Sequence, residues 1–320
     1  MRADKNDIIE IFGYKPDDKG PKATKAWKEC TCPFLNKLCT KKNHKDDVFS
    51  GVCTVSYGSK KGGDQDTVIC PARLYAQDYL VIKNAARDIW KGIDVIIGGT
   101  LDELLERARK VPEGTEVAIA FGQGSGKEVS IRSDTKLSFD WIVQRFKRKG
   151  RTLIPLNFIV VEVQSTDTVN SYRDTWNDYR KWREGKKVDI IVNSSHTINS
   201  ANVHKRIIPQ LIRKGNVCLN SKNCSGFYFI VPEIIFQKFE ATINIVENSK
   251  TASNKNVSVM TYSLEMESSA QDHTRKLIHI RTCHIDLAAF ALSFITYRPA
   301  NSENILEKKL DDLLRDKIIA

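Results

Sequence analysis

The 320-residue chain carries 50 Lys and Arg against 39 Asp and Glu, a net charge of +11, with a hydrophobic share of 41%. That share is typical of a folded domain, and the longest apolar run, Leu287 to Tyr297, falls short of the roughly 18 residues that span a bilayer, so no membrane anchor is expected. The cationic excess attracts polyanions by releasing their condensed counterions and so favours nucleic acid as a partner, although many basic proteins bind none.

Residues 1–20 alternate charges with short apolar pieces and lack the continuous apolar stretch of a secretory signal, which leads to the expectation of a cytoplasmic protein. From Lys15 to Asp66 the chain is rich in Lys, Asp, Gly, Asn and Cys without regular apolar periods, so little regular secondary structure is expected there. Helical periodicity runs from Ala72 to Trp90 and from Leu101 to Val111, where Leu101, Leu104, Leu105 and Ala108 share a face. Strands are predicted at Glu116–Phe121, Glu128–Arg132, Leu137–Val143 and Asn157–Val163, the first two joined as a hairpin through Gly122-Gln-Gly-Ser-Gly126. Val169, Tyr172, Trp176, Tyr179 and Trp182 recur at helical spacing, a pattern that reads first as a core-facing stripe and second as a base-stacking platform. Further strands are predicted at Val188–Val192, Gly226–Val231, Ser258–Leu264 and Leu277–His284, and helices at Val203–Lys214, Pro232–Ala241 and Ile305–Ile319. The fold class is therefore mixed α/β, with any domain boundary falling softly between residues 90 and 100 and no internal repeat.

Two segments place carboxylates in apolar strand-like runs: Leu137-Ser-Phe-Asp140-Trp141 and Phe158-Ile-Val-Val-Glu162-Val-Gln164. A buried, unpaired carboxylate needs a cation, a hydrogen-bond network or a proton. Residues two apart on a strand point the same way, so Glu162 and Gln164 share a face, with Val161 and Val163 on the other. Asp140 from a neighbouring strand would complete a hard oxygen site suited to Mg²⁺, an ion able to activate water and neutralise a scissile phosphate. The spacing alone does not separate this from an edge strand with solvated polar residues.

The segments Leu137-Ser-Phe-Asp140-Trp141, Val160-Val-Glu162-Val-Gln164-Ser-Thr-Asp167 and Asn170-Ser-Tyr-Arg173 resemble the active-site block of the NotI-like type II restriction endonucleases. Cys32-Pro-Phe-Leu35, Cys39-Thr-Lys41, Gly51-Val-Cys53 and Val68-Ile-Cys70-Pro71 follow that family's cysteine pattern in order. Asn202-Val-His-Lys-Arg206 and Cys224-Ser-Gly-Phe227 carry the resemblance over about the first 240 residues, and the remainder does not match. The resemblance implies a PD-(D/E)xK nuclease core, a central mixed sheet flanked by helices, in residues 96–320, behind an N-terminal four-cysteine metal-binding region in residues 1–95. It implies that Asp140, Glu162 and the Val163 carbonyl hold a catalytic Mg²⁺, that Gln164 stands where most such nucleases have Lys, and that Glu128 is a further acidic member. The resemblance also implies double-stranded DNA as the substrate, cut at a short palindromic site by a homodimer. A neutral amide at position 164 orients water or phosphate without supplying charge, leaving more electrostatic work to the metal. Two rivals remain: a metal-ordered DNA-binding protein without nuclease activity, and a repair or mobile-element nuclease on the same core.

Eight cysteines in a cytosolic chain argue against a disulfide framework, and five of them precede residue 71. Cys32, Cys39, Cys53 and Cys70 are separated by six, thirteen and sixteen residues, unlike the paired Cys-x-x-Cys of zinc ribbons. The surrounding segment is polar enough that a four-thiolate cage would contribute folding free energy directly, and four sulfurs imply zinc or iron. The resemblance implies a single structural iron. Cys30 lies outside the matched pattern, as a bystander or an alternative ligand, and Cys218, Cys224 and Cys283 read as isolated or buried thiols.

The Gly122 to Glu128 segment fails as a phosphate-binding loop, with three residues between its outer glycines and Glu after Lys127. His196, His204 and His284 have no ligand spacing and read as ordinary hydrogen-bonded or surface residues. Arg145, Lys147, Arg148, Lys149 and Arg151 read equally as a phosphate grip near the scissile bond or as a solvated turn.

Overall fold

The computed structural model describes residues 7–43, 48–58, 64–132, 136–166, 168–169, 171–190, 196–199, 203–242, 251–266, 268–296, 307–310 and 312. In chain order its main elements are β1 (Ile8–Ile11), α1 (Pro21–Glu29), β2 (Val52–Gly58), β3 (Asp64–Val68), α2 (Ala76–Ile89), β4 (Asp94–Ile96), α3 (Leu101–Arg109), β5 (Glu116–Gly122), β6 (Val129–Arg132) and β7 (Lys136–Phe139). There follow β8 (Trp141–Lys149), β9 (Thr152–Val163), α4 (Arg173–Arg183), α5 (Ile208–Leu219), β10 (Cys224–Pro232), α6 (Glu233–Thr242), β11 (Asn256–Leu264), β12 (Leu277–Asp286) and α7 (Leu287–Thr296). Among the described residues no helix is long and apolar enough to cross a membrane.

Seven strands form one mixed sheet in the order β12-β11-β10-β9-β8-β5-β4. β9 is its pivot: it pairs antiparallel with β8 and parallel with β10. Strand alternation splits the apolar residues of β9 between two cores. Ile159, Val161 and Val163 pack with Val81, Ile82, Ala85 and Ala86 of α2 on one face. Val160, on the other face, joins Ile208 and Leu211 of α5 and Phe236 and Phe239 of α6. The chain is thus mixed α/β with a large curled sheet flanked by helices.

Several expectations need correction. β5 and Val129–Arg132 do not form a hairpin: β5 lies between β8 and β4 in the large sheet, whereas β6 pairs with β7 and, among the described residues, with no other strand. The Gly122 to Gly126 segment instead closes on itself, Gly122 and Ser125 exchanging backbone hydrogen bonds. The run Leu137–Val143 is not one strand, because a bend at Asp140 divides β7 from β8. Regular structure in 15–66 exceeds the expectation: Ala23 and Ala26 bury one face of α1, and β1, β2 and β3 form a three-stranded antiparallel sheet. Residues 188–190 are not a strand, and 191–192 lie outside the described residues. The helix expected at Val203–Lys214 opens with a π turn and continues as α5 to Leu219. Of Ile305–Ile319, residues 307–310 and 312 are helical and the rest lie outside the described residues. The apolar run from Leu287 forms α7, anchored by buried Leu287 and Phe290.

The aromatic stripe faces a core. Trp176 and Tyr179 of α4 are buried with Ile8, Ile11 and Val52 of the small sheet, and the Trp176 indole donates to the Ser50 carbonyl at 2.7 Å. That small sheet is tied to the rest by a buried ion pair. Arg73, 0% exposed, donates to Glu10 through Nε at 2.7 Å and Nη2 at 3.0 Å, and to the Arg275 carbonyl at 2.6 Å, while Thr54 donates to the same carboxylate at 2.5 Å. Removing one member of such a pair strands the other charge in the interior, at a typical cost of about 3–5 kcal/mol. Arg73→Leu is therefore expected to lower unfolding stability in urea by about 3 kcal/mol or more. An unchanged midpoint and slope would show that the pair does not hold the small sheet.

Candidate active site and cysteine cluster

Asp140 and Glu162 are brought together. The bend between β7 and β8 turns Asp140 toward the end of β9, and the two residues cross-bond: Val163 N donates to Asp140 Oδ2 at 3.0 Å and Asp140 N to Glu162 Oε1 at 3.2 Å. The bend depends on Gly122, where an added Cβ would meet the Asp140 carbonyl oxygen at 2.3 Å and the Trp141 ring at 2.6 Å. Gln164 lies just past the end of β9, half-buried, its backbone N–H bonded to the Ile230 carbonyl at 2.9 Å. The cluster therefore lies at the carboxyl ends of the parallel pair β9 and β10, the place where open α/β sheets commonly bind ligands. Glu128 is exposed, yet its charge reaches Asp140.

The electrostatics follow from burial. Loss of solvent raises the Asp140 carboxyl above its ordinary range, opposed by the hydrogen bond from Val163 and by the Lys214 charge. Glu162, 2% exposed, is pushed up to about 8, first by burial and then by the Asp140 charge, with Lys214 pulling the other way. Lys214 Nζ from α5 donates directly to Glu162 Oε2. Burial and the nearby Asp140 charge also raise the Tyr75 hydroxyl, which accepts from the Trp141 indole at 3.1 Å.

Lys214 is the residue that sequence reasoning missed. A signal was present: Ile207, Leu211, Lys214 and Cys218 recur at helical spacing, which puts a lysine on an otherwise apolar stripe. The basic run, by contrast, is remote from the carboxylates. Arg145 to Lys149 occupy the far half of β8, and at about 3.3 Å per residue Lys147 stands roughly 23 Å along the strand from Asp140. Arg145 pairs with Glu116 at 3.3 Å, and Arg148 Nε donates to the Gly150 carbonyl at 3.0 Å.

Cys32, Cys39, Cys53 and Cys70 are all buried and line one cavity of about 20 Å³ with Phe12 and Leu35. That is space for about one water-sized body. Cys32 lies in a short hairpin, Thr31–Cys32 with Lys37–Leu38, and Cys39 directly follows it; Cys53 is on β2, and Cys70 precedes the 3₁₀ turn Pro71–Tyr75. A hydrogen bond from Cys53 and the Lys41 charge draw the Cys70 thiol down to about 6, while burial pushes Cys39 up to about 11. Cys30 is not part of this lining; its thiol contacts the Trp27 carbonyl at 3.8 Å. Cys218, Cys224 and Cys283 are buried, as expected, and Cys218 and Cys224 are in addition hydrogen-bonded to each other. His196 bonds the Ser56 carbonyl at 2.8 Å and His284 bonds Ser258 Oγ at 2.9 Å, ordinary structural partnerships.

Among the described residues no set of three or more His, Cys, Asp and Glu side chains converges closely enough to hold a metal ion. Both places bring suitable donors near one another without forming a complete ligand shell. No family model matches the chain, and no curated protein matches it significantly.

Without a metal, the folded chain keeps a proton on Glu162 up to about pH 8, whereas a free Glu releases it near 4.5. The folded state then binds more protons than the unfolded state between those values, so this group makes stability fall as pH rises from about 4.5 to about 8 and level off above. Denaturant unfolding in EDTA across that range is expected to show the decline in wild type and a flatter profile in Glu162→Gln. Parallel profiles would contradict the buried, proton-holding carboxyl.

Proposed function

We propose that this chain is a type II restriction endonuclease of the NotI-like kind, hydrolysing phosphodiester bonds of double-stranded DNA with Mg²⁺. The observation that carries the reading is the meeting of two desolvated carboxylates, Asp140 from the bend before β8 and Glu162 from β9, at the carboxyl ends of β9 and β10. Raised carboxyls without a metal are what a site for a divalent cation produces, because the ion's charge is the missing compensation. The mixed sheet flanked by helices is compatible with a PD-(D/E)xK core in residues 96–320, and +11 suits a polyanionic substrate.

In this reading Asp140, Glu162 and the Val163 carbonyl hold Mg²⁺, which supplies water activation and charge neutralisation when bound. Gln164 orients water or a phosphate oxygen through its amide, and Glu128 adds acidic charge at the rim. Water's oxygen joins phosphorus, the phosphorus–oxygen bond to the leaving hydroxyl breaks, and the departing oxygen takes up a proton. A two-fold symmetric target would be served by a homodimer in the cytoplasm.

The four cysteines that the sequence spreads over residues 32–70 line one cavity, independently of the carboxylates, and support a structural metal in residues 1–95. Four buried sulfurs and room for one small body suit iron or zinc, soft-ligand metals, as Mg²⁺ suits the oxygen site. A metal-ordered DNA-binding protein would share the cysteine cluster without needing two desolvated carboxylates side by side. A repair or mobile-element nuclease would share both.

Purified protein with Mg²⁺ is expected to cut plasmid and phage DNA into discrete bands, stop in EDTA and resume when Mg²⁺ returns. Asp140→Asn and Glu162→Ala are expected to bind duplex without cutting, because each loses a ligand rather than core volume. Bound but uncut wild-type substrate would favour the non-enzymatic rival, and a smear the repair nuclease.

Elemental analysis is expected to find about one iron or zinc per chain. It should find less in Ser variants of Cys32, Cys39, Cys53 or Cys70, together with lower stability. Cys30→Ser should keep the metal; loss there alone would overturn the ligand assignment.

A further inference from the structure

The carboxylate pair lacks a cation on its own strand, because position 164 holds a neutral amide, yet a lysine stands against it. Lys214 keeps 8% of its side chain exposed and bonds Glu162. Lysines are almost never this buried unless paired. Its position is fixed by the helix that carries it. Gly215, the next residue, lets α5 approach so closely that a Cβ there would lie 2.8 Å from Leu287 and 3.4 Å from Phe227. The ammonium also sits 5.9 Å from the centre of the Phe139 ring, on the residue preceding Asp140.

We propose that Lys214 is the positioning cation of the carboxylate site, delivered from α5 in place of a lysine at strand position 164, and that it competes with the divalent ion for Glu162. The proposal rests on the nuclease reading for its effect on cutting, but its claim about ion binding stands on the Lys214–Glu162 contact alone. The ammonium and a divalent ion are alternative partners of one carboxylate, so they oppose each other in ion binding. Toward an anionic phosphodiester they act in the same direction, since both present positive charge to it. Removing the lysine should therefore move two readouts in opposite senses, which loss of packing alone does not do.

The test compares full-length wild type with Lys214→Met, measuring Mn²⁺ affinity of the DNA-free protein by calorimetry and single-turnover cleavage in Mg²⁺. Mn²⁺ binding is expected to tighten about tenfold, on the scale by which groups contacting metal ligands tune affinity. Cleavage is expected to fall roughly a hundredfold, as for loss of one charge-stabilising group. Unchanged or weaker Mn²⁺ binding, or cutting at the wild-type rate, overturns the proposal. If Lys214→Met does not fold, the double variant Lys214→Met with Gln164→Lys returns the charge to the strand and is expected to fold and cut; a folded, inert double variant overturns the assignment. Wild-type protein that never cuts overturns the nuclease reading, while the Mn²⁺ comparison still decides the competition.

Discussion

Two carboxylates set side by side in a protein interior have to be neutralised, and the middle of this structure is arranged around Asp140 and Glu162. Each accepts a backbone hydrogen bond from the other's segment, so neither can leave without unbonding its neighbour. The only cation in direct contact with Glu162 among the described residues is Lys214, and even with its help the Glu162 carboxyl stays at about 8. The site is thus left short of positive charge.

The same chain shows what a completed ion pair looks like. Glu10 is also buried, but both its oxygens are taken, by Arg73 and Thr54, and the guanidinium continues to the Arg275 carbonyl. That arrangement links the small sheet to the approach of β12 and leaves no oxygen for an outside partner. Glu162 differs in its neighbour: Asp140 adds a second negative charge with one lysine between the two.

Much of this was legible in the sequence, for definable reasons. Period-two alternation in Phe158 to Gln164 correctly assigned Val161 and Val163 to one face and Glu162 to the other, because β9 is buried on both sides and a register slip would invert every side chain. Helical periodicity found α3, α4 and most of α2, but of the helix expected over Ala72 to Trp90 the first turn is a 3₁₀ turn, Pro71–Tyr75, and Gln77 to Tyr79 take left-handed backbone angles, so the chain kinks before the α-helix proper. Pairing was less accessible. Nothing local to Glu116–Arg132 says that β5 turns to β8 while β6 turns to β7, since that choice is made by residues some twenty positions away. The break at Asp140 was hidden for a similar reason: it depends on the close approach of Gly122. Lys214 went unnoticed because a lysine near the end of a predicted helix ordinarily caps it, whereas α5 continues to Leu219 and turns that position inward. The four cysteines, irregular in spacing, are brought to the lining of one cavity by three separate elements, a placement that spacing alone leaves open.

The most direct test of the central claim is to digest one sequenced genome with the purified protein and Mg²⁺ and to sequence the ends. The account predicts that the ends share one short two-fold symmetric sequence, absent when Glu162→Ala protein replaces wild type. Ends scattered without a common sequence, or the same ends from Glu162→Ala, would contradict a site-specific endonuclease built on Asp140 and Glu162.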